Sequence, residues 1–311
     1  MPPPTAIPDF DPRFFRPCSF AHLRDLGYGT RVTLNNGIPA EHQFASEMDV
    51  SMSVFDVAGS RLTTIADIKH LQPGEMVKLS IDDILTADPA VPATGNLLCI
   101  LHVVPSRWAG EPLVELSTRE MMAHVGASDD FIEYHQKPKG VITGVAYQTG
   151  PMNDARFSST RTTMVQAPKV IVSDSVDTMF ALLNISTGLD YDAPVTIDYW
   201  ILSAAGEKIA RSSQTVPAFS FRLVSMRGAL ERADKLEEFA EAGGIGMFLG
   251  YAANGSLVPL SLTFHRHSGA IACDHTLPPT YYVSTWGGEA RLNGNKRLAA
   301  EFFQTPAQVA T

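Results

Sequence analysis

Two of the chain's nine histidines stand in similar surroundings. His135 lies in Glu-Tyr-His-Gln-Lys-Pro and His275 in Cys-Asp-His-Thr-Leu-Pro, each with a proline three residues later. Imidazole changes charge near neutral pH without help from its neighbours. In an extended chain, residues two apart share a face, so Glu133 falls beside His135 and Cys273 beside His275. A carboxylate near an imidazole is the material of general acid–base catalysis. The catalytic candidates are therefore His135, His275, Glu133 and Asp274, converging on a groove between two related domains. The competing structural reading makes each histidine a hydrogen-bonding anchor at a strand end, a common role for buried polar side chains.

A second cluster, His-Arg-His-Ser-Gly-Ala-Ile-Ala-Cys-Asp-His from 265 to 275, holds metal-ligand side chains. If Ser268-Gly269 is a two-residue hairpin turn, His267 pairs with Ala270 and His265 with Ala272. His265, His267 and Asp274 then share one face, while Cys273 and His275 lie on the other. Three ligands, His265, His267 and Asp274, are the metal candidate; the spacing matches no zinc signature, and a solvated polar face is the alternative. Trp286, Tyr281 and Tyr282, with Tyr134 beside His135, are candidates for lining a carbohydrate or apolar ligand pocket; interface packing explains such aromatics equally well. Cys18 and His22 raise a Cys–His dyad, on proximity in sequence alone. No Walker loop, no dinucleotide fingerprint and no nucleophile elbow is present, so no cofactor is named and catalysis is left open.

The elements that must position these residues are strands. Met48 to Leu85 and Ala193 to Leu230 run in parallel about 145 residues apart, with Val50 against Val195, Met52 against Ile197, Val54 against Tyr199, Phe55 against Trp200 and Gly59 against Gly206. Asn184 is matched with Asn35. Residues 50 to 55 and 195 to 200 alternate apolar with small or polar side chains, a period of two. β-branched and aromatic residues suit a half-buried pleated surface. Glycine turns and Pro73 or Pro217 punctuate the runs. The spacing predicts an all-β chain: two tandem related immunoglobulin-like or jelly-roll-like β-sandwich domains with a few short helices. The expected boundaries are an N-terminal arm at 1–29, a first sandwich at 30–150, a linker or crossover at 151–169, a second sandwich at 170–290 and a tail at 291–311. Short helices are expected at Ser19–Leu26, Ser117–His124 and the tail, with a longer amphipathic one over Ala229–Ala242 that turns Leu230, Leu236 and Phe239 inward. Strands are expected at 245–252, 258–267, 270–275 and 280–285.

The 311 residues suffice for two cores, and 45% hydrophobic with 18% charged residues is an ordinary globular composition. A formal charge of −9 without a basic cluster argues against a nucleic-acid surface. Three cysteines make no disulfide framework, and no run approaches a membrane span. The start carries six prolines in 17 residues and no apolar signal core, so a cytoplasmic location is expected.

In Leu182-Leu183-Asn184, Val195 to Tyr199, Thr215 to Ala218 and His275-Thr276 the second half resembles the sensory rhodopsin transducer family of small bacterial β-sandwiches, over about a third of the chain. That family shows Gln where Asp274 stands and a following Arg-Leu-Asp that is absent here. The resemblance implies a sandwich fold, a tendency to oligomerise and a ligand- or partner-binding role. The expected function is a small-molecule or partner-binding protein, homo-oligomeric, with an acid–base enzyme and a metal-binding protein as alternatives.

Overall fold

In Met48–Phe55 the apolar residues Met48, Val50, Met52 and Val54 turn to one face and are buried, as their alternation demands. A computed structural model of the protein describes residues 6–10, 16–108, 114–117, 130–136, 139–146, 163–186, 190–275 and 297–303. The first half contains β1 (Ala6–Phe10), β2 (Pro17–His22), β3 (Gly29–Asn35), β4 (Met48–Phe55), β5 (Arg61–Leu71), β6 (Met76–Ser80), α1 (Ile81–Ala87), β7 (Leu97–Pro105), β8 (Val114–Ser117), β9 (Phe131–Gln136) and β10 (Val141–Ala146). The second contains β11 (Thr163–Ile171), β12 (Val176–Asn184), β13 (Val195–Ser203), β14 (Lys208–Val216), β15 (Ser220–Ser225), α2 (Met226–Arg232), α3 (Leu236–Glu241), β16 (Ile245–Ala252), β17 (Val258–His265) and β18 (Ile271–His275).

Two compact units divide the chain. One comprises Met1–Thr149 with Ser186–Asp192 and Phe219–Phe221; the other takes Gly150–Ile185, Ala193–Ala218 and Arg222–Thr311. The fold is all-β. Sheet order β2-β7-β4-β5 in the first half has its counterpart in β11-β16-β13-β14, and β6-β3-β9-β10 in β15-β12-β17-β18. β1 and β8 form a separate two-stranded ribbon. Both of the second unit's sheets feed one core, where the rings of Phe180 and Phe248 lie 4.6 Å apart and Tyr199 stacks on Phe248 at 4.9 Å. In the first unit the Tyr134 hydroxyl on β9 donates to the Ala21 carbonyl on β2 at 2.7 Å, tying sheet to sheet.

Asn36 and Asn184 hold equivalent places. Asn36 Nδ2 donates to the carbonyls of Ser46 (2.8 Å) and Leu71 (3.4 Å); Asn184 Nδ2 donates to those of Ala193 (3.0 Å) and Val216 (3.0 Å). Each amide therefore staples the start of one strand to the end of the next. Asn36, not Asn35, is the counterpart of Asn184. The pairings Met48↔Leu71 and Val195↔Val216 likewise set Met48 against Val195, two residues from the expected match. The two residues reappear in β5 as a bulge between Ile65 and Lys69, where Asp67 adopts φ +52°. A two-residue slip leaves every side chain on its expected face.

Two helical expectations change. Ser19–Leu26 begins as strand: β2, which ends at His22, pairs with β7, and Arg24–Leu26 forms a single 3₁₀ turn, closed by Gly27 at φ +77°. Ala229–Ala242 is two helices broken at Asp234, φ +55°, where Lys235 N bonds back to the Leu230 carbonyl. At 100° per residue, an unbroken helix would put Leu236 and Phe239 about 240° and 180° from Leu230. The break lets Leu230 and Phe239 be buried and Leu236 pack against the same core. The helix expected from Ser117 lies outside the described residues beyond β8, as does the strand expected at 280–285. Residues 297–302 are helical and cover the outer face of β13 and β16, with Ala299 and Phe303 on Leu202, Leu249 and Trp200. β2 lies within the expected arm, and β11 begins inside the expected linker.

Candidate functional site

The register Gly29↔His135 and Arg31↔Glu133 lays β9 beside β3, while Arg31↔Ser80 places β6 on its other side. These odd-numbered residues of β3 and β9 face away from the core. The chain leaves β6 directly into α1, which carries Asp82 across β3. Gly29 makes this approach possible: a β-carbon there would stand 2.6 Å from Asp82 Oδ2 and 2.7 Å from His135 Nε2. The result is a groove of about 710 Å³. Its floor is Gly27, Gly29 and Arg31, its sides are Ser80, Asp82, Asp83, Thr86 and His135, and its rim is Val91 to Thr94. The rim is held by Arg24, which donates to the Pro92 carbonyl (2.6 Å), and by Asp25, which accepts from the amides of Gly95 (3.2 Å) and Asn96 (3.3 Å).

Asp82 is the hub. Its Oδ2 accepts the Thr30 amide at 2.9 Å and lies 4.0 Å from His135 Nε2; its Oδ1 lies 3.7 Å from His22 Nε2. His22 is fully buried at the end of β2 and shares a 2.8 Å hydrogen bond between Nδ1 and Thr30 Oγ1. Burial pushes its imidazole down to about 4 against the pull of Asp82, with Arg24 and His135 pushing it further down. His22 is therefore neutral at pH 7. Arg31 is half-buried and Asp83 exposed.

The candidates read from sequence fall in different places. His135 lines the groove, but its neighbouring carboxylate is Asp82. Glu133 forms an ion pair with Lys78. Tyr134 is no ligand contact: it is fully buried, and its hydroxyl is taken by Ala21. Asp274 and His275 occupy β18 opposite Ser261 and Leu260, and their side chains lie outside the described residues. Tyr281, Tyr282 and Trp286 also lie outside them. The hairpin that carries His265 and His267 has a four-residue loop, Arg266 to Gly269, not a two-residue turn: His265 N donates to the Ala270 carbonyl at 2.7 Å. Ser268 N and Oγ bond His265 Nδ1, and Gly269 at φ +72° completes the loop. His267 thus leaves the strand face; its ring centroid is 5.8 Å from that of His265. Among the described residues no three His, Cys, Asp or Glu side chains are arranged to hold a metal ion. Cys18 is buried, and burial drives its thiol well above the ordinary range, with Asp130 adding to the effect, which disfavours the thiolate.

Sequence reasoning missed Asp82 and Arg31, and set His22 beside Cys18 when its neighbouring carboxylate is Asp82. The Ile-Asp-Asp run after β6 is a weak signal for an acidic first helical turn and points to no histidine. A buried serine–histidine contact was also missed: Ser53 Oγ lies 2.9 Å from His102 Nε2, but at 1% and 0% exposure the pair is closed to any substrate.

No protein-family model matches the sequence, and none of the curated proteins matches it. Among solved structures, the chain is similar at 8% identity and a TM-score of 0.16 to a glycosyl hydrolase family 2 member from Bacteroides cellulosilyticus, covering 84% of this chain and 28% of that one. A Pleurotus ostreatus lectin in its apo form matches at 10% identity and a TM-score of 0.18, covering 91% and 88%. The chain thus spans little more than a quarter of the hydrolase's length. Likenesses this small carry no functional argument. Among the described residues no helix is long and apolar enough to cross a membrane.

Proposed function

We propose that the protein binds a small polar molecule in the groove between β3, β9, α1 and the Val91–Thr94 rim. One observation carries this reading: Arg31, Asp82, Asp83, His135 and Ser80 converge on a single concavity of about 710 Å³ whose floor is kept open by Gly29. Converging polar groups in a concavity of this size are the usual form of a small-ligand site. The volume lies within the range typical of such sites, about 300–1,000 Å³. The test is thermal unfolding of the full chain with glucose, glutarate, 5-aminovalerate and 1,5-diaminopentane in turn. At least one should raise the melting temperature. Thr86→Trp, which fills the groove from an exposed position, should abolish the rise. A rise that survives Thr86→Trp places binding elsewhere.

Acid–base catalysis at the same place is a second reading. Its support is Asp82, which stands between the imidazoles of His22 and His135 at 3.7 and 4.0 Å. It predicts that the ligand found by melting is slowly transformed, followed by its proton NMR signals, and that Asp82→Asn stops the change. A bound ligand unchanged after prolonged incubation would leave binding as the whole function.

A further inference from the structure

We infer that the groove selects a dipolar ligand, with an anionic group seated on Arg31 and an ammonium group on the Asp82–Asp83 side; this rests on the groove being the binding site. Some charges around the groove hold the protein together, and others are left for a ligand. Arg24 and Asp25 are committed to the rim through Pro92, Gly95 and Asn96. Glu133, the cross-strand neighbour of Arg31, is paired with Lys78. Arg31 therefore lines the groove as a half-buried guanidinium with no ion pair among the described residues, next to the Ser80 hydroxyl across the β3–β6 ladder. A planar fork of five donors in that position suits a carboxylate, which it can hold by two parallel bonds.

The opposite sign lies beside Gly29, earlier on the same strand. Asp82 is anchored to the Thr30 amide beside Gly29, two residues before Arg31, and Asp83 follows it on α1. Two residues of strand span about 7 Å. Among the described residues Asp82 Oδ1 makes no close bond, lying 3.7 Å from the neutral His22, and the exposed Asp83 makes no ion pair. A ligand with a carboxylate at one end and an amine several bonds away would meet both groups. A dicarboxylate of equal length would set one end against Asp82 and Asp83, and a diamine would set one end against Arg31. Like charges brought together in a partly desolvated groove are a strong means of rejection.

Isothermal titration of the full chain provides the test. Its probes are 5-aminovalerate, glutarate, 1,5-diaminopentane and glucose, at low ionic strength. We expect 5-aminovalerate to bind at least tenfold more tightly than the other three. Arg31→Gln and Asp83→Asn should each weaken it by at least tenfold, with urea midpoints checked to show that both variants are folded. Asp83 is exposed, so its variant tests the charge argument even if Arg31→Gln proves unstable. Equal or tighter binding of glutarate, diaminopentane or glucose, blocked by Thr86→Trp, overturns the dipolar assignment and leaves the groove reading intact. Binding that Thr86→Trp does not block, or no binding by any probe, overturns both.

Discussion

At His22 the fold and the solvent compete for one proton. The imidazole is buried beside Thr30 and Asp82, and burial holds its pKa near 4 against 6.5 for the free side chain. The native state thus binds fewer protons than the unfolded chain between those values, so stability rises with pH across that window. The contribution is fully present above about pH 6.5 and is lost as pH falls toward 4. A shift of that size corresponds to at most about 3 kcal/mol. Urea unfolding from pH 7 to 4 should show this loss, and His22→Gln should flatten the slope in that interval. An unchanged slope in the variant would assign the acid sensitivity elsewhere. His135, although legible as a candidate, acquires its partner only through Gly29. No property of the Tyr-His-Gln sequence announces a carboxylate supplied from 53 residues earlier.

Strand ends are held by side-chain amides at Asn36 and Asn184. Both are buried, and each satisfies two backbone carbonyls that would otherwise lack these donors. Removing one leaves buried acceptors unpaired, at about 1–3 kcal/mol. Asn36→Ala and Asn184→Ala should each lower stability by about 2 kcal/mol in chemical denaturation, and Asn35→Ala by clearly less. Comparable losses at all three positions would contradict the equivalence. The helical residues 297–302 act on the second unit as a cover. Trp200 Nε1 donates to the Phe302 carbonyl at 2.7 Å, Lys208 Nζ to that of Glu301 at 3.1 Å and Arg211 to that of Phe303 at 3.4 Å. Cations at a helix C-terminus satisfy orphan carbonyls and oppose the local dipole. A chain ending at residue 296 should bind an apolar dye more strongly and shift tryptophan emission to the red, because Trp200, Met247 and Tyr251 lose that cover. Unchanged spectra would mean that the face is closed without the helix.

On the scale of the whole molecule, the first unit is not one continuous stretch of chain. Phe219 stacks on Phe55 at 4.7 Å, and Ser220 Oγ donates to the Val57 carbonyl at 2.6 Å, so that unit includes residues far beyond its own last strand. A fragment ending at residue 149 lacks both contacts. It should unfold at a lower urea concentration than the same unit in the full chain, measured by hydrogen exchange at β4. Equal protection would show that those contacts contribute nothing. Sequence alone determined the strand class, the faces of β4 and β13 and the glycine turns at Gly59 and Gly206, because each depends on a period or a backbone preference spanning a few residues. Only the tertiary structure decided the bulge at Asp67, the break at Asp234 and the meeting of Asp82, Arg31 and His135. Those outcomes depend on hydrogen-bond register between strands distant in sequence and on how a core accommodates each apolar side chain, and neither is written in local spacing.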